Sequence, residues 1–156
     1  MTPHADRALR ADRTALLPLF ALADDSPAQV ATYISLGEVF VARHGELIVG
    51  YAQIVESEDP REFELKSLAV IEARQGEGIG RDLVGAVVAR CRERDGRRLI
   101  VSTAAAAVGT LRFYQRRGFR MYRVVQDAFG PSTGYPVGLL MDGIPLRDQV
   151  FLELAL

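Results

Sequence analysis

Lysine is nearly absent from this chain of 156 residues: Lys66 is the one lysine among nineteen basic residues. Together with the abundance of alanine, this reads as compositional background from the coding sequence, not as function. Cys91 is the only cysteine, which excludes an intrachain disulfide and a cysteine-rich metal site and fits a reducing compartment. His4 and His44 are the only histidines, one near a loose start and one in a His44-Gly45 turn, so the ligands of a zinc site are missing and no metal is expected. No run reaches the roughly eighteen apolar residues of a membrane helix, and the start, with Pro3, His4, Asp6, Arg7 and Arg10, has no secretory apolar core. A net charge of −1 recommends neither nucleic acid nor an anionic membrane as partner. The expectation is a cytoplasmic protein.

What is present suffices for one domain: 49% of the residues are hydrophobic, enough for an adequate core at this length. Apolar spacing over Thr14 to Ala23 suggests an amphipathic helix begun near Asp12, with Pro18 as kink or boundary. Asp24-Asp25-Ser26-Pro27 reads as a stop followed by a second helix start. Val39 to Ala42 and Leu47 to Ile54 make a hairpin around His44-Gly45, and the next strand runs from about Glu62 to Val70. Ile79, Leu83, Val87 and Cys91 recur every fourth residue and mark the buried stripe of a helix ending at Gly96. On that stripe Cys91 reads as a packed thiol and not a nucleophile. A strand at Leu99 to Ser102, a helix at Val108 to Arg117 stopped by Gly118, a strand at Phe119 to Val125 and a last strand at Gln149 to Leu154 complete the order. Between Gly130 and Arg147 lies a long connection rich in glycine and proline, of a length that serves a site or is disordered.

The most informative stretch is Ser67 to Arg81, where an apolar strand runs into Gly76, Gly78 and Gly80 and then into a helix. Glycines at such a turn let the backbone approach a ligand, and the free N–H groups of a first helical turn favour an anion. Arg74 and Arg81 bracket the turn and can add charge-assisted hydrogen bonds to phosphate oxygens. Spacing excludes a P-loop, which needs a lysine after its last glycine, and the dinucleotide fingerprint, which needs Gly-x-Gly-x-x-Gly.

Gln75-Gly76-Glu77-Gly78-Ile79-Gly80 reads instead as Gln-x-x-Gly-x-Gly. With Glu64 to Val70 upstream and Phe113-Tyr114-Gln115-Arg116-Arg117-Gly118-Phe119 downstream, about sixty residues in order resemble the GCN5-related N-acetyltransferase (GNAT) superfamily. The tail, with Gly134-Tyr135-Pro136 and Asp142 to Asp148, resembles some bacterial members more loosely. The resemblance implies a single domain over residues 1–156 of α/β layered class, a mixed and mainly antiparallel sheet flanked by helices. A strand before the first helix is usual in the family, but Met1 to Arg13 shows little β character, so that strand is expected to be short or absent.

By the same resemblance the chain transfers the acetyl group of acetyl-CoA to a primary amine by direct attack in a ternary complex. Backbone N–H groups around Gln75, Gly76, Gly78, Gly80 and Arg81 hold the pyrophosphate, and the strand edge at Leu68, Ala69 and Val70 pairs with the pantetheine amides. A backbone N–H near Leu68 to Val70 can also polarise the thioester carbonyl. Tyr114 stands where the family's tyrosine protonates the leaving thiolate, its phenol having a pKa close to that of an alkyl thiol; the alternative is packing beside Leu111. Glu64 is the first choice of base, Glu62 on the same side of the strand the second, and water the third. Lys66 alternates onto that side too and can simply pair with Glu64.

The chain departs from the family at Ala107, where many members carry an asparagine that contacts the cofactor, so weaker donor binding is expected. Glu56, Glu58, Asp59, Glu62 and Glu64 crowd together, a way to attract a cationic amine or merely a solvated loop. Gly130 to Arg147 either lines the acceptor site, covers sheet edges or forms a subunit contact. The acceptor is a small molecule or a protein, and a homodimer fits the pattern. Two other classes remain open. A coenzyme A-binding or sensing module would bind acetyl-CoA without turnover, and a structural or dimerisation domain would bind no coenzyme A thioester.

Overall fold

A computed structural model describes residues 5–8, as backbone, and 13–156. His4 and the expected helix start at Asp12 lie outside the described residues. The chain forms two compact units, one running to Leu99 and including Leu156, the other comprising Ile100–Ala155. Both are mixed α/β with mainly antiparallel strands; the first packs helices against its sheet and the second carries one α-helix between its strands.

In the first unit, strands β1 (Ala5–Ala8), β2 (Glu38–His44), β3 (Leu47–Glu56) and β4 (Glu62–Val70) form an antiparallel sheet in that order. The strand expected before the helices to be short or absent is thus present and four residues long. Its pairing with β2, Ala5 opposite Ala42 through Ala8 opposite Val39, supplies what its residue types do not.

Helices cover both faces, because neighbouring residues of a strand point to opposite sides. On one face helices α1 (Leu17–Ala23) and α2 (Pro27–Tyr33) bury Leu19, Phe20, Val30 and Tyr33 against Val39, Val41, Tyr51 and Ala69. Phe20 stacks on Tyr51 at 4.3 Å between centroids, a contact worth about 0.5–1.5 kcal/mol beyond the area it buries. Pro18 occupies the first turn of α1, after a 3₁₀ turn at Thr14–Leu16, so it is a boundary and not a kink. Ser26 caps α2 by accepting from the Gln29 N–H at 3.3 Å. The buried Arg13 guanidinium donates to the carbonyls of Ile34, Leu36 and Gly37, satisfying the far end of α2.

On the other face lies helix α3 (Ile79–Glu93), which buries Ile79, Leu83, Val84, Val87 and Cys91, the stripe expected from the fourfold spacing. The helix ends three residues short of Gly96, with Asp95 in the left-handed region at φ 56°. An ion cluster ties α3 to β2: Glu38, 6% exposed, accepts from Arg90 at 3.0 Å and Arg94 at 3.1 Å. Cys91 is fully buried and burial pushes its thiol up to about 12, so it is protonated and inert at neutral pH.

In the second unit β5 (Arg98–Ala104), whose first residues belong to the first unit, is followed by α4 (Val108–Arg116), β6 (Arg120–Val125) and β9 (Gln149–Ala155), with β6 antiparallel to β9. The connection between β6 and β9 is folded. A 3₁₀ turn at Pro131–Thr133 is held by the Thr133 hydroxyl, which donates to Ala128 O and accepts from the Gly130 N–H. Strands β7 (Leu140–Met141) and β8 (Ile144–Pro145) then make a small hairpin across Asp142-Gly143, both at positive φ. The Phe129 N–H donates to Arg147 O at 3.0 Å and closes the base of the segment.

Candidate active site

The glycine turn follows β4 directly. A 3₁₀ turn at Glu72–Arg74 turns the chain, Gln75 is extended, and its side-chain amide donates to Val70 O at 3.1 Å, tying the turn back to the strand end. Gly76 and Gly78 stand at φ 82° and 86°, the left-handed region that side chains other than glycine's enter only under strain. Gly78 is the N-cap of α3 and carries no side chain to cap it. The Asp82 N–H closes the first helical bond onto Gly78 O, so the N–H groups of Ile79, Gly80 and Arg81 precede the helical ladder. Nothing lies within 4 Å of where a Cβ on Gly76 would sit, and a Cβ on Gly78 would meet only the Arg81 guanidinium, nearest atom 2.9 Å away. The fifteen-residue helix adds its positive end to these donors. Its start is therefore an uncapped helix end that presents backbone donors outside the helical ladder, the chemistry that holds phosphate oxygens.

The two flanking arginines already have partners. Arg74 pairs with Glu77 at 3.5 Å and Arg81 with Asp82 at 3.3 Å. Arg81 is 62% exposed at its side chain, so it can exchange that carboxylate for a phosphate at little cost.

Strand β4 has two unlike halves. Leu68, Ala69 and Val70 pair in regular register with Ala52, Tyr51 and Gly50 of β3. Farther back the register shifts: Ser67 faces Gln53 while Leu65 faces Ile54, leaving Lys66 as the extra residue of a bulge. The bulge resets the alternation. Leu65 shares Ile54's face, and Glu64 shares the face of Gln53, Tyr51 and Ser67, where α1 and α2 pack.

Several polar groups meet on that face. The Lys66 ammonium lies 3.7 Å from a Glu64 carboxylate oxygen and 5.1 Å from the centroid of the Tyr33 ring. The Tyr33 hydroxyl donates to Asp24 at 3.0 Å, and the Tyr51 and Ser67 hydroxyls bond to each other. Burial, reinforced by the Asp24 carboxylate, raises the Tyr33 phenol above its ordinary value, and burial likewise raises Tyr51, so both rings stay neutral. The Gln53 amide donates to the carbonyls of Tyr33 and Leu36, while its buried Oε1 has no partner among the described residues. Sequence reasoning found Glu64 and Lys66 but not Tyr33, Tyr51 or Ser67. Only pairing shows that these share a face.

The crowded acids are largely neutralised. Glu62 pairs with Arg98 at 3.2 Å, Glu56 with Arg94 and Glu64 with Lys66, while Asp59 accepts from the Arg61 N–H.

In the second unit Tyr114 sits on α4, 5% exposed, its ring edge-on to Phe113 and Phe119 at 5.2 and 5.4 Å between centroids. Phe113 and Phe119 are its aromatic ring neighbours. Gly118, at φ 96°, ends the helix and lets the Phe119 N–H return to Tyr114 O at 3.1 Å. Ala107 is the N-cap of α4 and offers no side-chain cap. No group of three or more metal-ligating side chains occurs among the described residues.

Comparison with known proteins agrees with this layout. The model of the acetyltransferase (GNAT) family matches residues 11–119. An uncharacterized N-acetyltransferase, YvbK of Bacillus subtilis, is 29% identical over 141 residues, 90% of this chain and 89% of its own. Among solved structures, an IAA acetyltransferase from Bacillus cereus superposes with a TM-score of 0.88 at 32% identity, covering 97% of this chain and 98% of that one. A GNAT family acetyltransferase from Elizabethkingia anophelis with acetyl-CoA bound gives 0.89 at 26% identity, covering 99% of both. With its uncapped glycine turn behind a sheet strand and a match over most of its length, the chain belongs to the GNAT acetyltransferase family, as an acetyl-CoA-dependent N-acetyltransferase.

Proposed function

We propose that the chain acetylates a primary amine of a small molecule or a protein in a ternary complex with acetyl-CoA, and that residues 1–156 act as one domain. The family match runs across the division between the two units, which supports the single domain. The observation that carries the donor site is the uncapped start of α3 behind Gly76 and Gly78. There the backbone N–H groups of Gln75, Gly76, Gly78, Gly80 and Arg81 hold the pyrophosphate, and Leu68, Ala69 and Val70 engage the pantetheine arm. A similar protein with acetyl-CoA bound supports the same donor here.

Attack requires an uncharged amine, and Glu64 is the base we favour. Glu62 is held by the Arg98 guanidinium at 3.2 Å, whereas the cation beside Glu64 among the described residues is the more distant Lys66 ammonium, and Glu64 is about one-third exposed. The amine nitrogen bonds to the acetyl carbon, the carbon–sulfur bond breaks, and the thiolate takes a proton. Tyr114, fixed in ring orientation by Phe113 and Phe119, is the donor we assign to that last step. A cytoplasmic setting fits the single buried thiol. Exposed Met121, Tyr122 and Val124 on β6 support a homodimer.

Tyr114→Phe tests the assignment. Turnover, followed as coenzyme A thiol release over an amine panel, should fall by about 10²-fold or more while acetyl-CoA affinity stays nearly intact. Unchanged turnover removes the tyrosine from the mechanism.

A further inference from the structure

We propose that Lys66 is a self-acetylation site, where the chain's own acetyl transfer turns its ammonium into a neutral amide and releases Glu64 from its ion pair. The proposal rests on the donor site and base assigned above. Lys66 is the only lysine in the 156 residues and therefore the only side-chain primary amine the protein carries. The β4 bulge sends it to the face where α2 packs, with its nitrogen 3.7 Å from the Glu64 carboxylate and over the Tyr33 ring. At 35% side-chain exposure it is open to an incoming thioester.

Distance along the strand brings the donor within reach. Leu68, where the pantetheine-pairing segment begins, is two residues on, about 7 Å at the rise of a β-strand. A lysine side chain spans a similar length. Amine, base and donor thus share one short piece of strand, an arrangement that makes the reaction effectively unimolecular.

The step balances. Glu64 takes a proton from the ammonium, and the freed nitrogen lone pair bonds to the acetyl carbonyl carbon. The carbon–sulfur bond breaks with its electron pair left on sulfur, the second proton of the attacking nitrogen passes through water to the thiolate, and Glu64 returns its own proton to solvent. The products are acetyl-lysine and coenzyme A. Tyr33 loses its cation and Glu64 its ion partner, so the modified chain presents a different face to an amine acceptor.

Peptide mapping by mass spectrometry reads the outcome, because the cleavage sites around Lys66 are Arg61 and Arg74. Trypsin cuts after unmodified Lys66 and gives fragments 62–66 and 67–74; acetylation blocks that cut and leaves 62–74. The full chain, incubated with acetyl-CoA and no other amine, should acquire one acetyl group in that fragment at a rate per molecule independent of protein concentration. Glu64→Gln, its fold checked by circular dichroism and its donor site by acetyl-CoA titration, should slow the reaction by on the order of tenfold or more, and Lys66→Arg should abolish it. A rate indifferent to Glu64→Gln would mean uncatalysed acetylation, and a rate rising in proportion to protein concentration would mean transfer between molecules; either overturns the proposal. No incorporation in a chain that binds acetyl-CoA overturns it and leaves the donor reading standing, whereas absence of binding removes both.

Discussion

The two halves of β4 differ on one continuous backbone, and the proposed function gives them different work. From Leu68 to Val70 the strand is regular, apolar and continuous with a glycine turn whose useful groups are main-chain N–H donors. From Glu62 to Lys66 it is bulged and charged, and its useful groups are side chains held in pairs by Arg98, Lys66 and Tyr33. Donor binding asks only that a backbone conformation be preserved. Proton handling asks for particular side chains on a particular face, and one extra residue in the strand decides which face that is.

Substitutions that touch one half should leave the other intact, and the largest expected effect lies in the charged half. Glu64→Gln keeps shape but cannot take a proton, so turnover should fall about 10²-fold with the acetyl-CoA dissociation constant unchanged in titration. A parallel loss of donor affinity would merge the two halves into one function. Gly78→Val attacks the other half: a β-branched residue at φ 86° is strained and projects over the N–H groups of α3. Acetyl-CoA affinity should drop by roughly five- to a hundredfold, for a loss of about 1–3 kcal/mol, in a variant that still shows the wild-type circular dichroism. Wild-type affinity would contradict the backbone cradle. Smallest is Ala107→Asn, which restores the asparagine that many members of the family carry at this position. One new hydrogen bond of about 0.5–1.5 kcal/mol should tighten acetyl-CoA a few-fold, and the same substitution should cap α4 and raise the melting temperature. Unchanged affinity with a raised melting temperature would make the introduced asparagine a helix cap alone.

The contrast also explains how much could be read in advance. Strand β4 runs from Glu62 to Val70 as its composition suggests, and α3 buries the very stripe that recurs every fourth residue, because both follow from hydrophobic periodicity. The glycine turn is legible because left-handed backbone leaves a trace in residue type. The bulge at Lys66 leaves none: neither glycine nor proline marks it, and only pairing with Gln53 and Ile54 defines it. Ser67 and Tyr51 give no signal for the same reason. Strand β1 is equally unmarked, since Ala5–Ala8 has no β-branched or aromatic residue and owes its form to β2. The β7–β8 hairpin is different. Asp142-Gly143 between apolar residues is a recognised turn signal, but the surrounding glycines and prolines make the whole segment read as loop and hide it.

The proposed donor site is built from the backbone at the start of α3. Its most direct test is calorimetric titration of the purified, cofactor-stripped chain with acetyl-CoA at fixed moderate salt. Saturable binding at one site per chain is expected, retained in Glu64→Gln and weakened in Gly78→Val. Absence of binding by the wild-type chain, or equal binding by all three, would contradict it.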